Sequence, residues 1–202
     1  APCDAALSAA SSSLTLRGCI SDGNLGLRNG GLVYATIGAI LNIDSLDSDA
    51  DGAIEQGGLV WAGQGSTVSV AASVISRGTA DEGGTMYASD ATTTLEDTLV
   101  DCTGGTPATS GGALLATDGA TAALSRTTIA ACTAVRGGAM QLQSRATAPR
   151  GPGRTDTYAI STPPTVSLVA SNLTGCEATT AGGGIDAIGT ATLRISVELI
   201  NS

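Results

Sequence analysis

A doubled glycine recurs along the chain at a nearly constant interval. The steps between successive pairs are 27, 26, 28, 26 and 46 residues, and the last equals one ordinary step plus an insert. The pairs begin at Gly30, Gly57, Gly83, Gly111, Gly137 and Gly183. Self-similarity at such a period is typical of stacked repeat architectures, in which each unit buries its apolar face only against its neighbours.

Each repeat contains two short runs in which apolar residues alternate with small or polar ones, a period typical of β-strands. The inward positions of the first run are Val33, Val60, Met86, Leu114, Met140 and Ile185. Those of the second run include Val68, Leu95, Leu124, Val166 and Leu193, and a third apolar position follows at Ile75, Val100, Ile129, Leu173 and Ile200. The sequence therefore predicts an all-β fold, a right-handed single-stranded parallel β-helix (solenoid) of about seven coils.

Residues 1–202 are predicted to form a single β-helix domain, with an inserted loop at about 144–164 that interrupts the sixth repeat. We interpret the chain as a segment of a longer or processed protein, since it opens at Ala1 without an initiator Met. It ends at Ser202 in mid-repeat, and an uncapped solenoid end exposes strand edges. We therefore expect further chain, a neighbouring subunit or end-to-end assembly there.

Charge and cysteine content restrict the partners and the compartment. Eighteen carboxylates against nine arginines give a net charge of −9, which disfavours nucleic acid. No apolar run approaches the roughly 18 residues that span a bilayer, so no membrane span is predicted. A disulfide between Cys3 and Cys19 and glycosylation at the sequon of Asn172 are predicted, and both favour a secreted or cell-surface protein.

Three further cysteines, Cys102, Cys132 and Cys176, occupy one repeat position in successive coils. Adjacent copies roughly 4.8 Å apart are within reach of a disulfide. Parallel side chains in a stack do not automatically reach the required dihedral angle, however. We expect a stack of buried thiols that behave as small apolar side chains.

The repeat motifs resemble those of a known group of surface proteins. Gly-Gly-[AL]-[VIM]-Tyr-Ala, preceded by [IL]-x-x-Cys, is similar to the repeats of the polymorphic outer-membrane proteins and related β-helix surface proteins. Ile129-Ala-Ala-Cys132 followed by Gly137-Gly138-Ala139-Met140 is the nearest copy. The second half-motif lacks the family's Phe and Asn. The resemblance implies a surface-exposed adhesive or structural rod.

Aromatic residues lie at one outward position of three successive repeats. Tyr34, Trp61 and Tyr87 share this position with Leu115. A contiguous apolar strip on an acidic rod predicts docking of a protein or a glycan. Alternatively, the tyrosines belong to the repeat consensus and only cover the backbone. A second partner contact is predicted on the insert, at Arg145, Arg150 and Arg154; the alternative is a loop that lies on its own acidic rod.

An acidic segment suggests a cation site. Asp47, Asp49 and Asp51 alternate before a glycine and are followed by Glu55, an arrangement that can converge on a hard cation such as Ca²⁺. The bidentate Glu of an EF-hand is absent, because Gly58 stands in its place. A solvated acidic turn without an ion is the alternative. No other cofactor is predicted.

We expect a non-catalytic structural or adhesive module. The absence of His and Lys leaves carboxylates or Tyr as general bases. Two alternatives stay open: a constitutive subunit of a larger assembly, and a polysaccharide-active β-helix enzyme with converging carboxylates. Ice binding is disfavoured because one outward column is irregular, reading Thr15, Asn42, Ser69, Thr94, Ala123, Ser167 and Arg194.

Overall fold

The computed structural model describes residues 7–26, 28–144 and 162–196. Throughout these residues the regular structure is β-strand, and each strand pairs in parallel with the equivalent strand of the next coil. The predicted parallel β-solenoid is therefore confirmed. In the described part of the chain there is no helix that is long and apolar enough to cross a bilayer.

Two seven-stranded sheets and one six-stranded sheet form the walls, with strands numbered in chain order. The first sheet stacks β1 (Leu7–Ala10), β5 (Val33–Thr36), β9 (Val60–Gly63), β12 (Met86–Ser89), β16 (Leu114–Thr117), β20 (Met140–Gln143) and β24 (Ile185–Ile188). The second sheet stacks β2 (Ser13–Arg17), β6 (Ile40–Asp44), β10 (Thr67–Ala71), β13 (Thr92–Glu96), β17 (Thr121–Ser125), β21 (Thr165–Val169) and β25 (Thr192–Ser196).

The third sheet stacks β3 (Ile20–Asp22), β7 (Asp47–Asp49), β11 (Val74–Ser76), β14 (Leu99–Asp101), β18 (Thr128–Ala130) and β22 (Asn172–Thr174). Shorter strands pair in the segment before each doubled glycine: β4 (Leu25–Gly26) with β8 (Gly52–Ala53), and β15 (Ala108–Ser110) with β19 (Thr133–Arg136) and β23 (Glu177–Ala181). The predicted insert thus falls between β20 and β21, and residues 145–161 lie outside the described residues.

The core is a set of vertical columns, each made by one repeat position. Val33, Val60, Met86, Leu114 and Met140 are at most 3% exposed and pair in register. A column of alanines lies two residues further along the first sheet, which leaves room for the larger side chains of the facing sheets. Like residues lie one strand spacing apart, so the core is a narrow stack rather than a set of scattered contacts.

In three successive coils the corner between the second and third sheets is a single left-handed residue followed by a buried hydroxyl, that of Ser73, Thr98 or Thr127. Asp97 and Arg126, for example, have φ of 48°. The hydroxyl of Thr98 then donates to the carbonyl of Glu96 at 2.8 Å, and Ser73 closes its own corner in the same way. These buried polar groups are therefore satisfied locally, as a buried hydroxyl requires.

The two glycines of each pair are required for different physical reasons, as Gly111 and Gly112 illustrate. Gly111 has φ of +59°, a conformation that L side chains rarely adopt. A Cβ on Gly112 would clash with the carbonyl oxygen of Gly138 in the next coil. The first glycine therefore turns the chain, and the second lets adjacent coils approach.

The last glycine pair differs from the sequence prediction by one residue. Ile185 pairs with Met140, which places Gly182 and Gly183, rather than Gly183 and Gly184, at the repeat position. Gly182 accordingly carries the positive φ, at 63°. Three consecutive glycines made both registers possible on sequence alone.

Candidate functional site

The predicted aromatic residues do stack on the outward side of the first sheet. The ring centroids of Tyr34 and Trp61 are 4.5 Å apart with an interplanar angle of 16°. Those of Trp61 and Tyr87 are 6.1 Å apart at 8°. Parallel β-pairing in register places these rings directly above one another. Both faces of the Trp61 ring are therefore occupied by neighbouring tyrosines.

Most of this column is covered, which corrects the prediction of an exposed apolar strip. Tyr87 is 4% exposed and Leu115 is fully buried. Leu32 and Leu59, two residues before Tyr34 and Trp61, do not extend the strip, because both belong to the core. Of the four predicted residues, only Tyr34 and Trp61 keep partial exposure.

The polar segment before each doubled glycine lies against the aromatic column. The indole Nε1 of Trp61 donates to Oε1 of Gln56 at 2.9 Å. The amide of Gln56 in turn donates to Glu82 of the next coil at 2.7 Å. Strand alternation predicts which side chains point outward, but it does not predict that a neighbouring segment folds over them.

Further along the rod the same column becomes polar. Arg136 Nε donates to Oδ2 of Asp186 at 2.8 Å, and Gln141 Nε2 donates to the same oxygen at 3.1 Å. The Asp186 side chain is only 12% exposed. The covered strip thus ends in a half-buried ion pair that joins adjacent coils.

The four predicted cation ligands have different surroundings. Asp47 is exposed, Asp49 forms an ion pair with Arg77, and Glu55 forms a two-pronged pair with Arg28 at 3.0 Å. The Arg77 guanidinium holds the pKa of Asp49 below its usual value. Within the described residues no group of three or more His, Cys, Asp or Glu side chains is arranged to hold a metal ion. Calcium binding here stays a prediction.

Asp51, the fourth predicted ligand, is fully buried and serves the fold. Its Oδ2 accepts from the hydroxyls of Ser21 and Ser48, both at 2.6 Å. Its Oδ1 accepts from the backbone amide of Asn24 at 2.8 Å. Ser21 and Ser48 occupy a position at which later coils have apolar residues. Asp51 therefore accepts the hydrogen bonds of the two polar side chains at the start of the third sheet.

The cysteines correct a second prediction. Cys102 and Cys132 form a disulfide with Cα atoms 4.7 Å apart, so the expected stack of three thiols is wrong. Cys176 is a thiol, and burial raises its pKa. Cys19 is disulfide-bonded, whereas its predicted partner Cys3 lies outside the described residues.

Other predicted contact residues are placed as follows. Asn172 begins β22 and is exposed, so its side chain is accessible for the predicted glycosylation, which stays a prediction. Arg145, Arg150 and Arg154 lie outside the described residues.

A shallow groove of about 530 Å³ on the third sheet bears on the enzyme alternative. Its walls include Asp22, Asp47, Asp49 and Asp101 beside Arg77. Hydrogen bonds from Thr103 lower the pKa of Asp101, as the Arg77 contact does for Asp49. Both groups are ionised near neutral pH, so neither is suited to act as a general acid.

Several arginines join neighbouring coils through exposed ion pairs. Arg126 contacts both Glu96 and Asp97, the latter at 2.6 Å, and Arg17 lies 3.2 Å from Asp44. In each pair the partner lies about one repeat away in the sequence. These ion pairs therefore bridge adjacent coils instead of converging on one site.

Sequence reasoning missed the most regular exposed feature, a column of threonines on the second sheet. Five coils in succession place Thr at one outward position: Thr67, Thr92, Thr121, Thr165 and Thr192. All but the half-buried Thr165 are exposed. The sequence contained the signal for this column, because in each of these coils a Thr directly precedes the first inward residue of the second run.

We call this threonine column, together with the neighbouring outward column, the hydroxyl face. The neighbouring column contains mainly hydroxyl and amide side chains: Thr15, Asn42, Ser69, Thr94 and Ser167, with Ala123 and Arg194 as exceptions. Two hydroxyl positions therefore repeat at the strand spacing, about 4.8 Å, along a parallel sheet.

Comparisons with protein-family models, with curated proteins and with solved structures gave no significant match.

Proposed function

We propose that this chain is a non-catalytic structural or adhesive module of a secreted or cell-surface protein, a β-solenoid rod that binds a regular glycan polymer through its hydroxyl face. The observation that carries the proposal is the column of five threonines. Uncharged hydroxyl side chains in a fixed array are suited to a ligand that itself repeats hydroxyl groups along its length.

The energetics favour a polymer over a small sugar. A single exposed hydroxyl contact contributes only about 1 kcal/mol net, because it replaces a hydrogen bond to water. Contacts repeated along a rigid face reinforce one another, since each later contact forms within an already bound complex. A polymer therefore gains affinity from the whole column, whereas a monosaccharide does not.

The aromatic column is a poorer docking surface. Sugar rings bind to open aromatic faces, and both faces of Trp61 are occupied by Tyr34 and Tyr87. Protein interfaces centre on accessible anchor residues, and Tyr87 and Leu115 are buried. The two aromatic residues of this column that keep partial exposure, Tyr34 and Trp61, supply at most a lateral contact.

Rigidity and compartment support an adhesive role. The disulfide between Cys102 and Cys132 and the ion pair of Arg136 with Asp186 both join adjacent coils. Disulfides persist mainly in oxidising environments, which favours secretion or surface display. A stiff rod keeps the threonine spacing constant under load.

Sedimentation with insoluble polysaccharides tests the proposal. Microcrystalline cellulose and chitin serve as probes, and the double variant T92K/T121K places two bulky charges on the hydroxyl face. We expect the wild type to sediment with at least one polymer and the variant to lose at least tenfold in affinity. The matched control S76K/T128K alters two outward hydroxyl residues of the third sheet and should bind like the wild type.

Two results contradict the proposal. Equal loss in T92K/T121K and in the control would place binding elsewhere, and no sedimentation with either polymer would remove the glycan as ligand. The second result would favour the alternative of a constitutive subunit. Melting curves of both variants establish that each remains folded.

Ice is the second candidate ligand, and the even spacing of the threonine column favours it. Ordered water in ice presents hydroxyl groups at regular intervals, so a rigid threonine array can match them. Ice-crystal growth observed in a nanolitre osmometer tests this: faceted growth and a freezing-point gap that T92K/T121K abolishes would support it. Unaltered disc-shaped crystals with the wild type would exclude it.

A further inference from the structure

The three cysteines of the carboxy-terminal half lie at one position of successive coils. Cys102 donates its backbone amide to Ala130 at 3.0 Å, and Glu177 donates its amide to Cys132 at 2.9 Å. Thr174 pairs with Ala130, so Cys176 is the next member of this column. Each cysteine is therefore about one strand spacing, roughly 4.8 Å, from the next.

The thiol of Cys176 lies against the backbone of the neighbouring coil, which carries Cys132. Its Sγ lies 3.7 Å from the carbonyl oxygen of Ile129 in the neighbouring coil. A hydrogen bond between the Cys132 backbone and this sulfur lowers the thiol pKa, although burial has the larger, opposite effect. A thiol one coil away from Cys132 is within the Cα separation that a disulfide requires.

We propose that Cys176 exchanges with the Cys102–Cys132 disulfide, so that the crosslink moves by one coil. The Cys176 thiolate attacks Sγ of Cys132, and a Cys132–Cys176 bond forms as the Cys102–Cys132 bond breaks. The leaving electron pair stays on the sulfur of Cys102, which takes up the proton that Cys176 lost. The step is redox-neutral and needs no other oxidant or reductant.

The column order suits this reaction. Thiol–disulfide exchange requires the attacking sulfur to approach the attacked sulfur from the side opposite the leaving sulfur. Cys132 is the middle residue, with Cys102 in the preceding coil and Cys176 in the following one. The stacking of the coils therefore places attacking and leaving sulfurs on opposite sides.

The consequence is a crosslink that stabilises a different part of the rod. In the present state it joins the coils of Cys102 and Cys132, whereas after exchange it would join the coil of Cys132 to that of Cys176, which carries β22, the end strand of the third sheet in the described residues. The packing at this end is looser: Leu173 in β22 is only partly buried, but Ile129 at the same position in the preceding coil is 1% exposed. Exchange would therefore tether the end of the third sheet.

Thiol mapping on the unmodified full chain tests the proposal. The protein is incubated without oxidant at about pH 8.5, near the pKa of an ordinary thiol, then quenched in acid, unfolded and labelled with N-ethylmaleimide. Peptide mass spectrometry locates the label. We expect the label on both Cys176 and Cys102. The rate at which the two populations reach equilibrium should rise about tenfold per pH unit below the thiol pKa and should not depend on protein concentration.

Two variants make the result decisive. In Cys176→Ser the label should be absent from Cys102, because the attacking thiol is missing. In Cys102→Ser, air oxidation should give a Cys132–Cys176 disulfide. Label confined to Cys176 in the wild type at every time would overturn the proposal, as would exchange whose rate rises with protein concentration.

Discussion

Two outward faces of this rod follow the same strand alternation but differ in exposure. On the first sheet Tyr87 and Leu115 point away from the core, yet they are 4% and 0% exposed. On the second sheet Thr92 and Thr121 occupy equivalent outward positions and are exposed. The difference arises because the polar segment before each doubled glycine, with Gln56 as an example, lies against the first sheet.

The direction of an outward side chain and its exposure to solvent are therefore two separate properties of a repeat position. Alternation decides whether a side chain faces the core or the outside of a strand. Exposure depends also on which other segment covers that outside. The covered face therefore contributes to stability, and the open face is available for binding.

The largest expected effect is loss of stability when the covered face is truncated. Leu115→Ala should lower the free energy of unfolding by about 2–5 kcal/mol, as for other buried leucines, although Leu115 lies outside the core columns. Leu99→Ala is the matched control, because Leu99 is 36% exposed on the third sheet. Urea unfolding measures both variants, and equal small losses would show that the first sheet's outward face is open in solution.

The next effect concerns the buried carboxylate at the start of the third sheet. Asp51→Asn replaces one acceptor oxygen with a donor. Either the hydroxyls of Ser21 and Ser48 or the backbone amide of Asn24 then lose their hydrogen-bond acceptor. We expect a loss of about 1–3 kcal/mol in the free energy of unfolding, typical of an unsatisfied buried polar group.

Asp47→Asn is the control for Asp51→Asn, since it alters an exposed carboxylate four residues before Asp51 in the same acidic segment. It should leave the urea midpoint unchanged. A calcium-dependent midpoint in the wild type that Asp47→Asn abolishes would instead support the predicted cation site.

A smaller effect comes from the exposed ion pairs, which neither cover a face nor line the core. Contacts with Arg77 and Arg126 lower the pKa of Asp49 and Asp97 below the usual 3.8. A carboxyl with a lowered folded-state pKa contributes stability above its unfolded value, and this is lost as the pH falls through the folded value. The melting temperature should therefore be constant down to about pH 5 and decline below about pH 4.

The double variant D49N/D97N sharpens that measurement, because it removes the two titrating groups but leaves both arginines. Its melting temperature at neutral pH should be slightly lower, and its decline in acid shallower, than those of the wild type. Parallel acid declines for the two proteins would assign the acid sensitivity to other carboxyls.

Much of the fold followed from the sequence, because a repeat imposes its register on every coil. The inward columns containing Val60, Met86 and Leu114 were predicted from spacing alone and pair as expected. The site was less predictable. Burial of Asp51 depends on Ser21, 30 residues earlier, and the disulfide of Cys102 depends on side-chain dihedrals that spacing does not fix.

The threonine column could have been predicted from the sequence but was not, because only the neighbouring outward column, that of Thr94, was considered. In Thr92-Thr93-Thr94 the first and third residues point outward and the second is fully buried. Repeat composition cannot separate these roles, since all three are identical. Only the register shows that Thr92 aligns with Thr67 and Thr121.

The smallest expected effect on stability is therefore on the open face. Thr121→Val keeps the shape of the side chain but removes its hydroxyl, and an exposed site of this kind should change the free energy of unfolding by no more than about 0.5 kcal/mol. If the hydroxyl face binds a polymer or ice, the same variant should still weaken binding, because one position of the array no longer donates or accepts. Urea unfolding and polymer sedimentation on one preparation separate the two effects. A loss of stability comparable to that of Leu115→Ala would mean that Thr121 is covered in solution, and the contrast between the two faces would then be wrong.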